Sequence, residues 1–230
     1  MKNRLLNTIS ILTTSLILCC QVNADSFLVQ DQHGLPVKNA VLEFSVTHSA
    51  TDTPTANSSK ADSAPKTLTM DQVNKRFDPE LLIIHKGDYV NFPNSDNIRH
   101  HVYSFSKVMP FELKLYSGKP KAPLQFNTAG ISVLGCNIHD SMVGYIYIAD
   151  STQVLLTDDQ GIATLDDTIK YQSVNVWHAN LSTSLTRAET IGYDDLVKAS
   201  NTDGQLVIKL IVDSPEPRNT FQSIFKKHGK

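Results

Sequence analysis

The segment Gly135-Cys136-Asn137-Ile138-His139-Asp140-Ser141-Met142 contains three side chains with metal-binding chemistry, spaced three residues apart. Cys136 offers a soft thiolate, His139 an imidazole and Met142 a thioether. Thiolate and thioether ligands favour copper, and imidazole suits both of its common oxidation states. The spacing lets one short loop surround a single ion. The alternative is structural, with Cys136 as a buried apolar residue, His139 on the surface and Met142 in a core.

A second imidazole is expected from the segment Asn97–Phe105, where a loop leads into an apolar strand pattern. This segment carries His100 and His101 side by side. Neighbouring residues of a strand point to opposite faces, so only one of this pair is expected to join the site. Two imidazoles, one thiolate and a weak axial thioether form the donor set of copper electron-transfer sites. The sequence therefore predicts one copper ion that cycles between Cu(I) and Cu(II).

The N-terminus has the pattern of a secretory signal peptide over residues 1–24. Lys2 and Arg4 precede an apolar run, and Val22-Asn23-Ala24 suits cleavage before Asp25. The alternatives are an uncleaved anchor, or lipid attachment at Cys19 or Cys20. Cleavage would leave Cys136 as the only thiol in an oxidising compartment, where burial or metal binding would protect it. We therefore expect a periplasmic protein without a transmembrane segment after cleavage.

Short segments rich in β-branched and aromatic residues dominate the chain after residue 25, and they predict an all-β protein built from sandwiches. The turns ending at Gly34, Gly161 and Gly204 require glycine in the left-handed region. Helical periodicity is weak, and its best candidate is the segment 187–199. The formal net charge of −2, without a basic run before the C-terminus, argues against nucleic acid as a partner.

Changes in composition divide the chain into segments. Residues 48–66 are small and polar and predict a flexible linker, and residues 214–230 predict a loose C-terminal tail. Similar strand and turn patterns occur in residues 25–47 and 151–213, on either side of the block 67–150 that holds the metal-like residues. This order predicts one β-sandwich that is interrupted by, or flanks, a second.

The segments Phe77–Phe105 and Phe126–Ile148 resemble the cupredoxins, the family of plastocyanin, pseudoazurin and amicyanin. The resemblance implies a Greek-key β-sandwich over residues 67–150 with a type 1, or blue, copper site. It favours His100 over His101 as the ligand, because the family's His-Asn-Val pattern then aligns with His100-His101-Val102. The implied ligands are His100, Cys136, His139 and Met142.

Three residues are expected around these ligands: His101, Asn137 and Asp140. His101 replaces the asparagine by which the family ties the two ligand loops together, and its imidazole could form the same hydrogen bonds. Asp140 directly follows a ligand and, if close to the ion, would favour the higher copper charge and lower the reduction potential.

The flanking segments resemble transthyretin-like, or carboxypeptidase-regulatory, β-sandwiches. The whole order is similar to exported bacterial proteins described as methylamine utilization or plastocyanin-like proteins. The resemblance implies a one-electron carrier whose redox partner is a protein such as a cytochrome c or a dehydrogenase. No catalytic residues and no enzymatic activity are predicted, and no pattern indicates an oligomeric state. The alternatives are a copper sensor, buffer or chaperone, or a glycan- or protein-binding module with exposed aromatics around Trp177.

Overall fold

The computed structural model describes residues 24–46, 64–118 and 122–213. The predicted signal peptide as far as residue 23, the predicted linker as far as residue 63 and the predicted tail 214–230 lie outside these ranges. Within the described ranges, the chain forms seventeen strands and one short helix, and the all-β prediction is confirmed. None of the described residues forms a helix that is long and apolar enough to cross a membrane.

The strands that surround the metal-like residues form two sheets and a hairpin. Their bounds are β3 Thr67–Thr69, β4 Asp71–Val73, β5 Arg76–Asp78, β6 Leu81–His85, β7 Tyr89–Asn91, β8 His100–Ser104, β9 Phe111–Tyr116, β10 Leu124–Gln125, β11 Gly130–Cys136 and β12 His139–Ala149. A five-stranded sheet, here the site sheet, has the order β6-β12-β11-β8-β9, and a three-stranded sheet, here the cover sheet, has the order β10-β7-β3. Strands β4 and β5 form the separate hairpin.

The remaining strands form two further sheets. Their bounds are β1 Ala24–Gln30, β2 Val41–Val46, β13 Val154–Leu156, β14 Ile162–Asp166, β15 Tyr171–Trp177, β16 Glu189–Gly192 and β17 Leu206–Lys209, with helix α1 at Tyr193–Lys198. The middle sheet has the order β13-β2-β15-β16, and the outer sheet has the order β14-β1-β17. The described strands β1 and β2 thus pair with strands from beyond residue 153, while β3 to β12 pair among themselves.

The centre of the site sheet is buried on both faces, because strand β12 alternates between two cores. One core lies between the site sheet and the cover sheet and takes Met142, Ile146 and Ile148. The other core continues into the flanking sandwich and takes Val143, Tyr145, Tyr147 and Ala149. Strand β12 thus contributes side chains to both cores and connects the two sandwiches through apolar packing.

The middle sheet lies between the outer sheet and the site sheet. On β2, the Phe44 ring lies 5.1 Å from Phe27 of β1, so this face of the strand meets the outer sheet. On β15, the Trp177 ring lies 5.3 Å from Tyr145 of β12, so the opposite face meets the site sheet. Trp177 is fully buried. The Trp177 indole therefore packs between the middle sheet and the site sheet.

The three predicted glycine turns are confirmed, since Gly34, Gly161 and Gly204 have φ values of 80°, 71° and 78°. At Gly161 a side chain is also excluded by space, because a Cβ atom would lie 2.5 Å from the carbonyl oxygen of Val29. The best helical candidate, the segment 187–199, is helical only in its second half. Residues Glu189–Gly192 form β16, and the helix begins only after Gly192.

Candidate metal centre

The thiol and one imidazole of the candidate site sit at the two ends of a tight strand connection. Cys136 ends β11 and His139 begins β12, and the two are register partners after an irregularity at Gly135/Cys136. Directly opposed residues of an antiparallel pair lie on the same face of the sheet, and the register shift brings His139 opposite Cys136. Strand pairing alone therefore positions two of the predicted ligands.

His100 reaches the same place from the neighbouring strand. It is the first residue of β8, which pairs with β11 in the register Cys136↔Val102. His100 is fully buried, whereas His101 points the other way and its Nε2 atom lies 2.8 Å from Oε1 of Glu112. Alternation along the strand thus places His100, and not His101, beside the cysteine.

Three donor atoms form a nearly equilateral triangle. The Cys136 sulfur lies 3.6 Å from Nδ1 of His100 and 3.6 Å from Nδ1 of His139, and the two Nδ1 atoms are 3.1 Å apart. The point equidistant from these three atoms lies about 2 Å from each, close to the ~2.0–2.3 Å of metal–nitrogen and metal–sulfur bonds. The triangle is therefore the right size for one transition-metal ion.

Burial differs among the candidate ligands. Cys136, His100 and Met142 are 0% exposed, and His139 is partly exposed. Ile138, beside His139, is 49% exposed. His139 is thus the member of the donor set that reaches the surface.

Met142 shares the core of the site. It belongs to the same buried cluster as Cys136 and lies on the face of β12 that also carries Ile146. This placement suits an apolar axial ligand, whose weak bond to copper benefits from a shielded environment.

The expected link between the two ligand segments exists, but it is made by the backbone. The N–H of Asn137 donates to the carbonyl oxygen of His101 over 3.2 Å. The imidazole of His101, which could have made this link, contacts Glu112 on β9 instead, because strand alternation directs the ring there. The side chain of Asp140 lies outside the part of the chain that the structure describes.

The outer nitrogen of His100 is held by a carboxylate that the sequence did not indicate. Nε2 of His100 lies 2.7 Å from Oδ2 of Asp96. The carboxylate also accepts backbone hydrogen bonds from Asn74, at 2.6 Å, and Lys75, at 2.9 Å. Asp96 stands four residues before His100 in an irregular loop. No pattern in a sequence tells where a loop carboxylate points.

The charged groups of the site influence one another. Burial lowers the pKa of His139, and the nearby His100 and Lys75 act in the same direction. Burial alone would raise the pKa of Asp96, but the hydrogen bonds from Lys75, His100 and Asn74 outweigh it and lower that pKa. Both shifts favour the forms that a metal site needs, a neutral imidazole and a charged carboxylate.

Within the described ranges, His100, Cys136 and His139 are the only group of histidine, cysteine and acidic side chains with converging ligand atoms. The donor types fit copper better than they fit the other common metals. The thioether of Met142, which lies in the same buried cluster as Cys136, would be a soft fourth ligand that suits copper, whereas calcium and magnesium require oxygen ligands.

No family model matches this chain, and no curated protein matches it in sequence. Solved structures that resemble it include the Cu-containing nitrite reductase (NirK) from Thermus scotoductus SA-01, with 25% identity and a TM-score of 0.35 over 36% of this chain and 22% of that chain. A single-residue mutant of amicyanin in its reduced Cu(I) form shows 24% identity and a TM-score of 0.31 over 36% of this chain and 81% of that chain.

The purple cupredoxin from Nitrosopumilus maritimus shows 18% identity and a TM-score of 0.32 over 36% of this chain and 99% of that chain. The nitrite reductase and the amicyanin contain copper. The match spans about a fifth of the nitrite reductase, and all three TM-scores are low. The evidence for function is therefore the donor set itself.

Proposed function

We propose that this protein is a mononuclear copper protein that carries single electrons. The observation that supports this most directly is the triangle of one thiolate and two imidazole donors, formed by Cys136, His100 and His139. Met142 supplies the weak axial ligand. A bound copper ion would provide the one-electron chemistry, and this set of soft and borderline ligands is compatible with both Cu(I) and Cu(II).

Rigidity of the donor set favours electron transfer over simple storage. Cys136 ends the buried strand β11 at the centre of the site sheet, and His100 is fixed on its outer nitrogen by Asp96. Ligands that keep their positions reduce the rearrangement needed when the charge of the ion changes. A copper buffer or chaperone instead needs ligands that open to release the ion.

The partly exposed His139 offers the shortest route between the buried donors and a partner. Beside it, Ile138 exposes an apolar side chain. We therefore propose that a redox protein, such as a cytochrome c or a dehydrogenase, docks at this end of the molecule. Export to the periplasm remains part of the proposal and is based on the signal-peptide pattern of residues 1–24.

A glycan-binding role for the flanking sandwich has less support. Exposed aromatics around Trp177 would favour that alternative, but this indole is completely buried against Tyr145 and Tyr147.

Voltammetry of the copper-loaded chain from residue 25 onward tests the carrier function. We expect a reversible one-electron wave, and rapid oxidation of a reduced c-type cytochrome in stopped flow. A copper chelator should remove the ion much more slowly than the electron moves. An irreversible wave combined with fast loss of copper to the chelator would contradict the carrier and favour a copper buffer or chaperone.

A further inference from the structure

The contact between Asp96 and His100 is almost closed to solvent. The side chain of His100 is 0% exposed and that of Asp96 is 12% exposed, with 2.7 Å between Nε2 and Oδ2. A carboxylate accepts hydrogen bonds and cannot donate them. In the neutral imidazole of His100 this contact places the proton on Nε2, which leaves the lone pair of Nδ1 directed at Cys136 and His139.

Asp96 itself is held by a hairpin turn. The β4–β5 hairpin is connected by Asn74 and Lys75, whose φ values are 53° and 59°. Positive φ at both central residues is the signature of a type I′ turn. The two turn N–H groups point at the Asp96 carboxylate, so Oδ1 receives one bond from Asn74, while Oδ2 receives bonds from Lys75 and His100.

The hairpin is in turn fixed to the core. Phe77 of β5 is buried and packs against Gly144 of β12, where a Cβ atom would lie only 2.8 Å from its ring. Gln72 of β4 is also buried. Contacts therefore run from the core through the hairpin turn to Asp96 and His100, and they restrict the movement of the Asp96 carboxylate.

We infer that Asp96 is a positioning residue for the metal centre, held by the Asn74–Lys75 turn, and that it does two things. It selects the tautomer of His100 in which Nδ1 is the free donor. Its negative charge also stabilises the more highly charged ion and so lowers the reduction potential, an effect that rests on the proposed copper function. Carboxylates that orient a ligating histidine change metal affinity by roughly 10–100-fold when removed.

The test compares Asp96→Asn with a matched control, Glu112→Gln. Glu112 holds His101 as Asp96 holds His100, at 2.8 Å, but its histidine is outside the donor triangle. Asparagine keeps the shape of the Asp96 side chain, removes its charge and replaces one acceptor oxygen by an N–H₂ donor. Asp96→Glu restores the charge and serves as the conservative rescue.

The first readout needs no metal. Nitrogen-15 NMR of the metal-free protein at about pH 8, above the usual histidine pKa of about 6.5, reports the tautomer of His100. We expect a single Nε2–H tautomer in the wild type, in Glu112→Gln and in Asp96→Asn, whose amide oxygen can still accept this proton, and a mixture of tautomers in Asp96→Ala, which has no acceptor. A wild type that carries the proton on Nδ1, or an Asp96→Ala variant with an unchanged tautomer, would overturn the positioning role whatever the metal does.

The second readout uses Cu(I) and Cu(II) bound to the same variants. We expect Asp96→Asn to lower the Cu(II)/Cu(I) affinity ratio about tenfold, which raises the potential by about 59 mV. Asp96→Glu should recover part of that change, and Glu112→Gln should change the potential far less. A potential that moves equally in Glu112→Gln would overturn the electrostatic role. If no variant, nor the wild type, yields a thiolate–copper site, the proposed function fails while the NMR result still decides the role of Asp96.

Discussion

Glu43 of β2 accepts a hydrogen bond from the hydroxyl of Tyr147 of β12 over 2.8 Å, so a buried carboxylate of the flanking sandwich is bonded to the sheet that carries the metal site. The same carboxylate accepts the N–H groups of Asp150, at 2.7 Å, and Ser151, at 2.8 Å. Burial and this neighbouring charge raise the pKa of Tyr147. The two sandwiches are thereby joined at the point where the chain passes from one to the other.

Replacing Glu43 by alanine should destabilise the whole protein. The change leaves the Tyr147 hydroxyl and two backbone N–H groups without their acceptor, a loss of about 2–4 kcal/mol. Tyr147→Phe removes one of these bonds and should cost about 1 kcal/mol. Urea denaturation followed by far-UV circular dichroism measures both. Equal and negligible effects of the two variants would show that this junction does not contribute to stability.

Met142→Leu should raise the reduction potential with little effect on folding. The thioether stabilises Cu(II) more than Cu(I) as a fourth donor, so its removal should change the affinity ratio roughly tenfold, or about 59 mV. A buried Met-to-Leu change usually costs less than about 1.5 kcal/mol. Met70→Leu is the matched control, because Met70 is also fully buried in the same core. Equal shifts in potential for both variants would argue against Met142 as a ligand.

Gly144→Ala should disturb the packing beneath the site. The new methyl group would lie 2.8–2.9 Å from the ring and Cβ of Phe77, so the ring must move, at an expected cost of about 1–3 kcal/mol. Gly192→Ala is the control, since a Cβ atom there comes no closer than 4.0 Å to a neighbouring side chain, that of Asp195. Thermal denaturation of both variants measures the difference. A Gly144→Ala protein as stable as the control would contradict the described packing of the hairpin.

His178 should make the metal-free protein less stable in mild acid. Burial lowers its pKa in the folded state, opposed by a hydrogen bond to the backbone of Lys38, and its Nδ1 atom accepts the N–H of Asn180 at 3.2 Å. Below about pH 6.5, the usual histidine value, the unfolded chain binds the proton first. The free energy of unfolding therefore falls as the pH drops from about 6.5 to the lowered folded-state pKa.

This effect is measured by urea denaturation between about pH 5 and pH 8, across the usual histidine pKa. His178→Gln should show a smaller loss of stability in acid than the wild type, because one group that must stay neutral is gone. His33→Gln, at an exposed turn residue, should retain the full loss. A His178→Gln slope equal to that of the wild type would contradict this assignment.

Strand patterns predicted much of the architecture because alternation and turn glycines are local properties. The segments containing Cys136, His139 and His100 could be recognised from residue types, and strand pairing brings their donor atoms together. The short strands β3, β4, β5 and β10 could not be recognised, because two or three residues are too few for a period to appear.

The environment of the site was harder to predict. Asp96 acts from a loop, and the Asn74–Lys75 turn that holds it is distant in the sequence and near only in the fold. The apolar neighbours of Glu43 in the sequence indicate its burial only weakly. In the structure, four consecutive residues of β2 are buried, as in a strand covered on both faces. Which sheet covers each face follows only from the tertiary structure.

The central claim is that Cys136 is a copper ligand between two histidines, and the visible and electron paramagnetic resonance spectra of the Cu(II)-loaded chain from residue 25 onward test it most directly. We predict an intense thiolate-to-copper absorption and a small copper hyperfine splitting, both lost in Cys136→Ser. A pale Cu(II) spectrum with an ordinary hyperfine splitting, shared by the wild type and the variant, would contradict the claim and leave Cys136 as a buried thiol.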